Sequence, residues 1–275
     1  MNFLKLLFIS IVFFISCSNA TKKEDEKIKE VKSKLEFKYD STINTAHILV
    51  ALCDNKYQGI VPVPEAIGNG EDFNKNLYWG CSFGIRSYFK ASKDWKLIRK
   101  IKLDSIKLER LVFKNNTSNF YLVCDAYKGK NIKECTIDFL NSAAGLLKDT
   151  IQINSTVIGI NGNAKLLTYI GHNGLMDFTL NNSFKNEDGK ERDVVILACK
   201  SKKYFSSYVK DAKANPLLWT SDLMCPEAYT IHDLINVYIK SPNDKIGMHL
   251  AATKAYSKYQ KCSIKASQNL LVTGF

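Results

Sequence analysis

The chain has 275 residues, 45% of them hydrophobic and 24% charged, with a formal net charge of +12. That length and balance fit one large globular domain or two small ones, and exclude a disordered or fibrous chain. The positive excess is scattered and comes with no recognition helix, aromatic RNP motif or Arg-rich arm, so no nucleic-acid partner is expected.

The first segment, "MNFLKLLFISIVFFISCSNA", has Lys5 in a short n-region, then an uncharged apolar stretch over 6–15 that closes in small residues. A membrane-spanning helix needs roughly 20 apolar residues, so this stretch reads as a cleaved signal. "FISC" (14–17) resembles the lipobox of bacterial lipoproteins, in which the cysteine is diacylated and becomes the new first residue. "SNA" (18–20) resembles an ordinary A-x-A cleavage site. Cys17 ends the apolar run and a polar tail follows it, which favours the lipobox. The resemblance implies a signal peptide at 1–16, lipidation at Cys17 and stable attachment to a lipid membrane through more than one acyl chain. The location it implies is the bacterial cell envelope, the outer membrane first, with either face open. Residues 17–45 are then a short charged tether, and 46–275 a single domain without a dividing linker or repeat.

Within that domain "AHILVALCDN" (46–55) is a nearly continuous apolar run, as in a strand buried on both faces. "IVPVPEAIGNGEDFN" is loop, and "NLYWGCSFGIRSYFKAS" is expected to be a buried helix. "WKLIRKIKL" alternates weakly, whereas "LERLVFKN" and "NFYLVCDAY" read as a hairpin. "NIKECTIDFLNSAAG" has helical spacing, with Gly145 as its C-cap. "KLLTYIGHNG" and "DVVILACKS" are two more buried strands around a polar loop. A short strand "PLLWTSD" and helices over "EAYTIHDLINVYIK" and "DKIGMHLAATKAYSKYQKC" complete the chain. Strands alternating with helices indicate an α/β fold with a mostly parallel sheet flanked by helices.

Seven cysteines remain besides Cys17, none in a CxxC pair, and four histidines show no HxxxH or HxH pattern. No metal site, no cofactor and few or no disulfides are expected. Functional residues of parallel sheets gather beyond the carboxyl ends of the strands. His172 follows "LLTYI"-Gly171, and Cys199 follows "VVIL"-Ala198. On neighbouring strands they would share one crevice, where an imidazole can take the thiol proton.

An apolar strand ending in His beside Gly, followed by one ending in Ala-Cys, resembles the caspase-like cysteine peptidases (caspases, gingipains, clostripain, legumain and CHAT-type proteases). The resemblance covers roughly residues 46–205. It implies a caspase-like layered fold, a peptide or protein substrate, Cys199 as nucleophile and His172 as general acid/base. It departs from the family at His172-Asn173-Gly174, where the usual pattern is His-Gly. The oxyanion donor is therefore open among the N–H groups of Asn173, Gly174 and Cys199. Asp177, five residues past the histidine, is a candidate to orient the imidazole. Asp54, Trp219 and Asp222 are candidates for a substrate pocket. His232 and Asp233 are adjacent on a helix, where i and i+1 side chains do not face each other, so no charge relay is expected there. The alternative is a non-catalytic surface lipoprotein of the same fold, a pseudo-peptidase or binding module with an inert Cys199. Access to that thiol separates the two readings.

Overall fold

The runs "AHILVALC", "FYLVCDAY", "LLTYI", "VVIL" and "PLLWT" carry apolar side chains at successive positions, the composition of strands covered on both faces. The computed structural model describes residues 39–275; the signal segment, Cys17 and most of the tether lie outside the described residues. In chain order the strands are β1 (Asn44–Ala51), β2 (Trp95–Lys102), β3 (Lys107–Asn115), β4 (Phe120–Tyr127), β5 (Lys148–Ile153), β6 (Thr156–Asn161), β7 (Leu166–Ile170), β8 (Asp193–Leu197), β9 (Asn215–Thr220) and the short β10 (Leu271–Val272). The helices are α1 (Ile85–Ala91), α2 (Ile132–Ala144), α3 (Ser201–Asp211), α4 (Ala228–Lys240), α5 (Lys245–Gln260) and α6 (Ile264–Leu270).

The main sheet runs β10-β9-β8-β7-β1-β4-β3-β2. Its five central strands, β9, β8, β7, β1 and β4, are parallel. The flanks β10, β3 and β2 are antiparallel. The architecture is therefore the expected α/β arrangement of a mostly parallel sheet between helices. One face carries Ile48, Val50, Val195 and Leu197 against α1, α4 and α5 through Phe89, Leu234 and Ala252. The other carries Leu49, Tyr169 and Ile196 against α2 and α3 through Phe139 and Phe205. Strand alternation divides consecutive residues between the two cores.

The most deeply buried charge cluster joins three strands. Arg110 on β3 makes two 2.6 Å bonds to Asp125 on β4, and His47 Nε2 on β1 stands 3.1 Å from the same carboxylate. The Asn161 N–H donates to His47 Nδ1 at 3.0 Å, so the ring proton sits on Nε2 and points at Asp125.

Two local expectations are corrected, and one element is added. Residues 39–45, expected in the tether, pack with the folded body: Asp40 N–H bonds to Val157 O at 3.1 Å and Ile43 is buried. The helix expected over "NLYWGCSFGIRSYFKAS" forms only from Ile85 onward. Ahead of it the chain folds back in turns, and a Cβ at Gly84 would stand 2.5 Å from the Trp79 carbonyl carbon. The added element is the hairpin of β5 and β6, which pairs Ile153 with Thr156 around Asn154 at φ 53°. Its Ile151, Ile153, Ile158 and Ile160 cover Val112 and Val123 of the main sheet. The alternation in "TIQINSTVIGI" around Asn-Ser was the signal for it. Gly145 does close α2, at φ 76°.

Candidate active site

Strand register places His172 and Cys199 side by side at one edge of the sheet. β7 and β8 are parallel neighbours whose last pair is Ile170 with Leu197. His172 and Cys199 each lie two residues beyond that pair. Between strand and histidine, Gly171 adopts φ 144°, and a Cβ there would stand 2.6 Å from Ala51 O on β1. Only glycine takes that left-handed conformation against a neighbouring backbone without strain. Asn173, fully buried, ties the two turns: its Nδ2 donates to Cys199 O at 2.6 Å, and its Oδ1 accepts from Leu175 N–H at 3.1 Å.

The cysteine turn is held from several sides. Lys200 occupies the left-handed region at φ 50°, an uncommon place for a non-glycine residue. Its N–H bonds to Asp222 O at 2.9 Å. Ser201 Oγ, at the start of α3, donates to Ile196 O at 2.9 Å and accepts from Thr220 N–H at 2.9 Å. Thr220 Oγ1 in turn donates to Ala198 O. The Cys199 sulfur, half-buried, accepts from Met224 N–H at 3.4 Å and lies 3.6 Å from Met224 O. Ser201, Thr220 and Met224 carry no motif; only tertiary pairing of β8 with β9 brings them here.

Asp177 orients the imidazole. Its Oδ2 lies 2.7 Å from His172 Nε2 and accepts from Gly59 N–H at 3.0 Å. A carboxylate can only accept, so Nε2 carries the proton and Nδ1 keeps the basic lone pair. The ring is 5% exposed and the carboxylate 31%. Asp177→Asn removes the charge from this bond, a loss of about 1.5–3 kcal/mol.

The remaining candidates divide. The Tyr169 hydroxyl donates to His172 O at 2.8 Å and so fixes the backbone of the histidine turn. The N–H groups of Asn173 and Cys199 make no hydrogen bond to protein among the described residues. Asp54 does not line the crevice. It is buried, and its Oδ1 closes a local turn by accepting from Lys56 and Tyr57 N–H at 2.9 and 3.2 Å. Trp219 is core: it is fully buried, with its Nε1–H donating to Gly274 O at 2.9 Å. Asp222 is 70% exposed, 3.8 Å from Lys200 Nζ, and borders a groove of about 360 Å³ with Leu223, Asn269 and Leu270. A second depression of about 470 Å³ lies on α1 beside Asn74, Arg86 and Lys90, away from Cys199.

His232 and Asp233 differ from expectation. The side chains do meet, Nδ1 to Oδ1 at 2.8 Å, while Nε2 contacts Ser92 Oγ at 2.8 Å. Ser92 Oγ also accepts from Asp94 N–H at 3.1 Å, and Tyr88 and Phe89 pack edge-on to the ring. The chain of bonds joins the end of α1 to α4. All seven cysteines in the described region are free, and no group of three or more His, Cys, Asp or Glu suited to a metal ion occurs among the described residues. No helix of the described residues is long and apolar enough to cross a membrane. Comparison of the chain with protein-family models, with curated proteins and with solved structures gave no match.

Proposed function

We propose that the chain is a cysteine peptidase of caspase-like kind that hydrolyses peptide bonds through a thioester. One observation carries the reading: adjacent parallel strands end at the same register in a carboxylate-oriented histidine and a half-exposed cysteine. A structural cysteine would be sealed in the core as Cys124 and Cys135 are.

In the proposed reaction His172 Nδ1 accepts the Cys199 proton and the sulfur attacks the substrate carbonyl. The N–H groups of Cys199 and Asn173 receive the resulting oxyanion. His172 then gives its proton to the departing amine as the C–N bond breaks, which leaves a thioester. Water, deprotonated by the same nitrogen, attacks the thioester. The C–S bond breaks, the acid product leaves and the thiol is restored. Asp177 holds the imidazole in one orientation and stabilises its cationic form. Its role is positional, since it touches the histidine and not the substrate.

A complex peptide mixture incubated with the purified chain tests this, with new termini identified by mass spectrometry. Termini that appear with the wild type and vanish with Cys199→Ala are expected. Equal cleavage by the variant, or none by the wild type, would contradict the proposal.

A further inference from the structure

The loop that covers the Cys199 sulfur ends in a second thiol. Met224 places both its N–H and its carbonyl oxygen on Cys199 Sγ, at 3.4 and 3.6 Å. Cys225 is the next residue and is exposed. Standard peptide geometry then holds the Cys225 Cα within about 6.5 Å of the Cys199 sulfur. The segment 221–227 that carries Cys225 has no regular structure, and Cys225 N–H is anchored only to Tyr256 Oη, at 3.2 Å. Cys53, Cys124 and Cys135 are sealed in the core and cannot compete for an oxidant.

We propose that Cys199 and Cys225 form a reversible disulfide when the protein meets a hydroperoxide, with Cys225 as the resolving thiol that protects the reactive one. In the first step the Cys199 thiolate attacks the terminal peroxide oxygen. The O–O bond breaks, the sulfur becomes a sulfenic acid, and the peroxide leaves as an alkoxide that takes up a proton. In the second step the Cys225 thiolate attacks the sulfenic sulfur. The S–S bond forms and hydroxide leaves, to be protonated to water. Sulfur is oxidised by two electrons and the peroxide reduced by two. Without a resolving thiol the sulfenic acid proceeds to sulfinic acid, which dithiothreitol does not reverse. The proposal builds on the reactive Cys199 of the preceding section, yet its readout is a covalent link and not turnover.

The experiment treats the folded chain and its Cys225→Ser variant with hydrogen peroxide, then with dithiothreitol, and maps sulfur states by peptide mass. A linked peptide joining 199 and 225 is expected in the wild type, cleared by the reductant with full return of alkylatable Cys199. In Cys225→Ser the link is expected to be missing and Cys199 to remain as sulfinic acid after reduction. A wild-type link from Cys199 to Cys81 or Cys262 would overturn the proposal, as would equal recovery of Cys199 in the variant. A link formed in a chain without peptidase activity would uphold the pairing and count against the peptidase reading. Activity lost irreversibly and without a link would do the reverse.

Discussion

In the proposed peptidase, replacing His172 with alanine is expected to slow peptide hydrolysis by about 10²–10⁴-fold, the usual contribution of a positioned general acid–base. The fold should survive the change. The ring stands at the edge of the sheet beyond the last β7–β8 pair, and its Asp177 partner keeps the Gly59 N–H and its access to water. kcat/KM on the best peptide from the cleavage screen reads the chemistry, and thermal unfolding reads the fold. A large fall in rate with little change in melting temperature is the expected combination. A variant that hydrolyses at the wild-type rate would remove His172 from the reaction.

The second large effect is on stability. Arg110→Ala is expected to cost about 3–5 kcal/mol, because it strips the guanidinium from a fully buried carboxylate. For a domain of this size that corresponds to a drop in melting temperature on the order of 10 °C. The same network sets the acid response. Burial opposes the Asp125 carboxylate, but His47 and Arg110 outweigh it and hold the carboxyl well below the usual range. Burial lowers the His47 imidazole, with Asp125 opposing. A histidine kept neutral in the fold takes a proton more readily when unfolded, so stability falls as pH drops through about 6.5. A depressed carboxyl adds stability above its unfolded value near ~3.9 and loses it as pH falls further. Both act in one direction. Asp188, held down by Arg192 and Lys148, adds to the lower window, whereas burial raises Glu227 and opposes it. The melting temperature should therefore be flat from pH 7 to 8 and fall in two stages below about 6.5. Constant stability down to pH 4 would contradict this assignment.

Much of the site was legible from single residues because parallel strands export their last residue to one edge. "LLTYI" and "VVIL" are apolar throughout, so their ends at His172 and Cys199 could be placed without knowing the register. The partners were harder. Asp177 reaches His172 only because the turn over 173–177 folds back, and Gly59, which fixes that carboxylate, comes from the loop after β1. Asp54 looked equivalent from its place after β1 but satisfies Lys56 and Tyr57 N–H instead. A local turn bond and a crevice carboxylate have the same spelling. Trp219 was lost to the core because "PLLWT" is a central strand and not a rim. The His232–Asp233 bond escaped the helix spacing rule because one short side chain turned toward its neighbour while Ser92 held the other end of the ring.

Whether His172 and Cys199 work as a pair is read most directly from a competition among thiols. Burial pushes Cys53 up to about 11 and raises Cys81, Cys124 and Cys135, while partial desolvation of its sulfur and the Glu227 charge raise Cys225, exposed though that residue is. Iodoacetamide applied at pH 7 to the folded chain, with peptide mass reporting each cysteine, should therefore label Cys199 first and far ahead of the rest. In His172→Ala that lead should disappear. Labelling of Cys199 that keeps pace with Cys262, or that is indifferent to His172, would mean that the two strand ends meet without reacting.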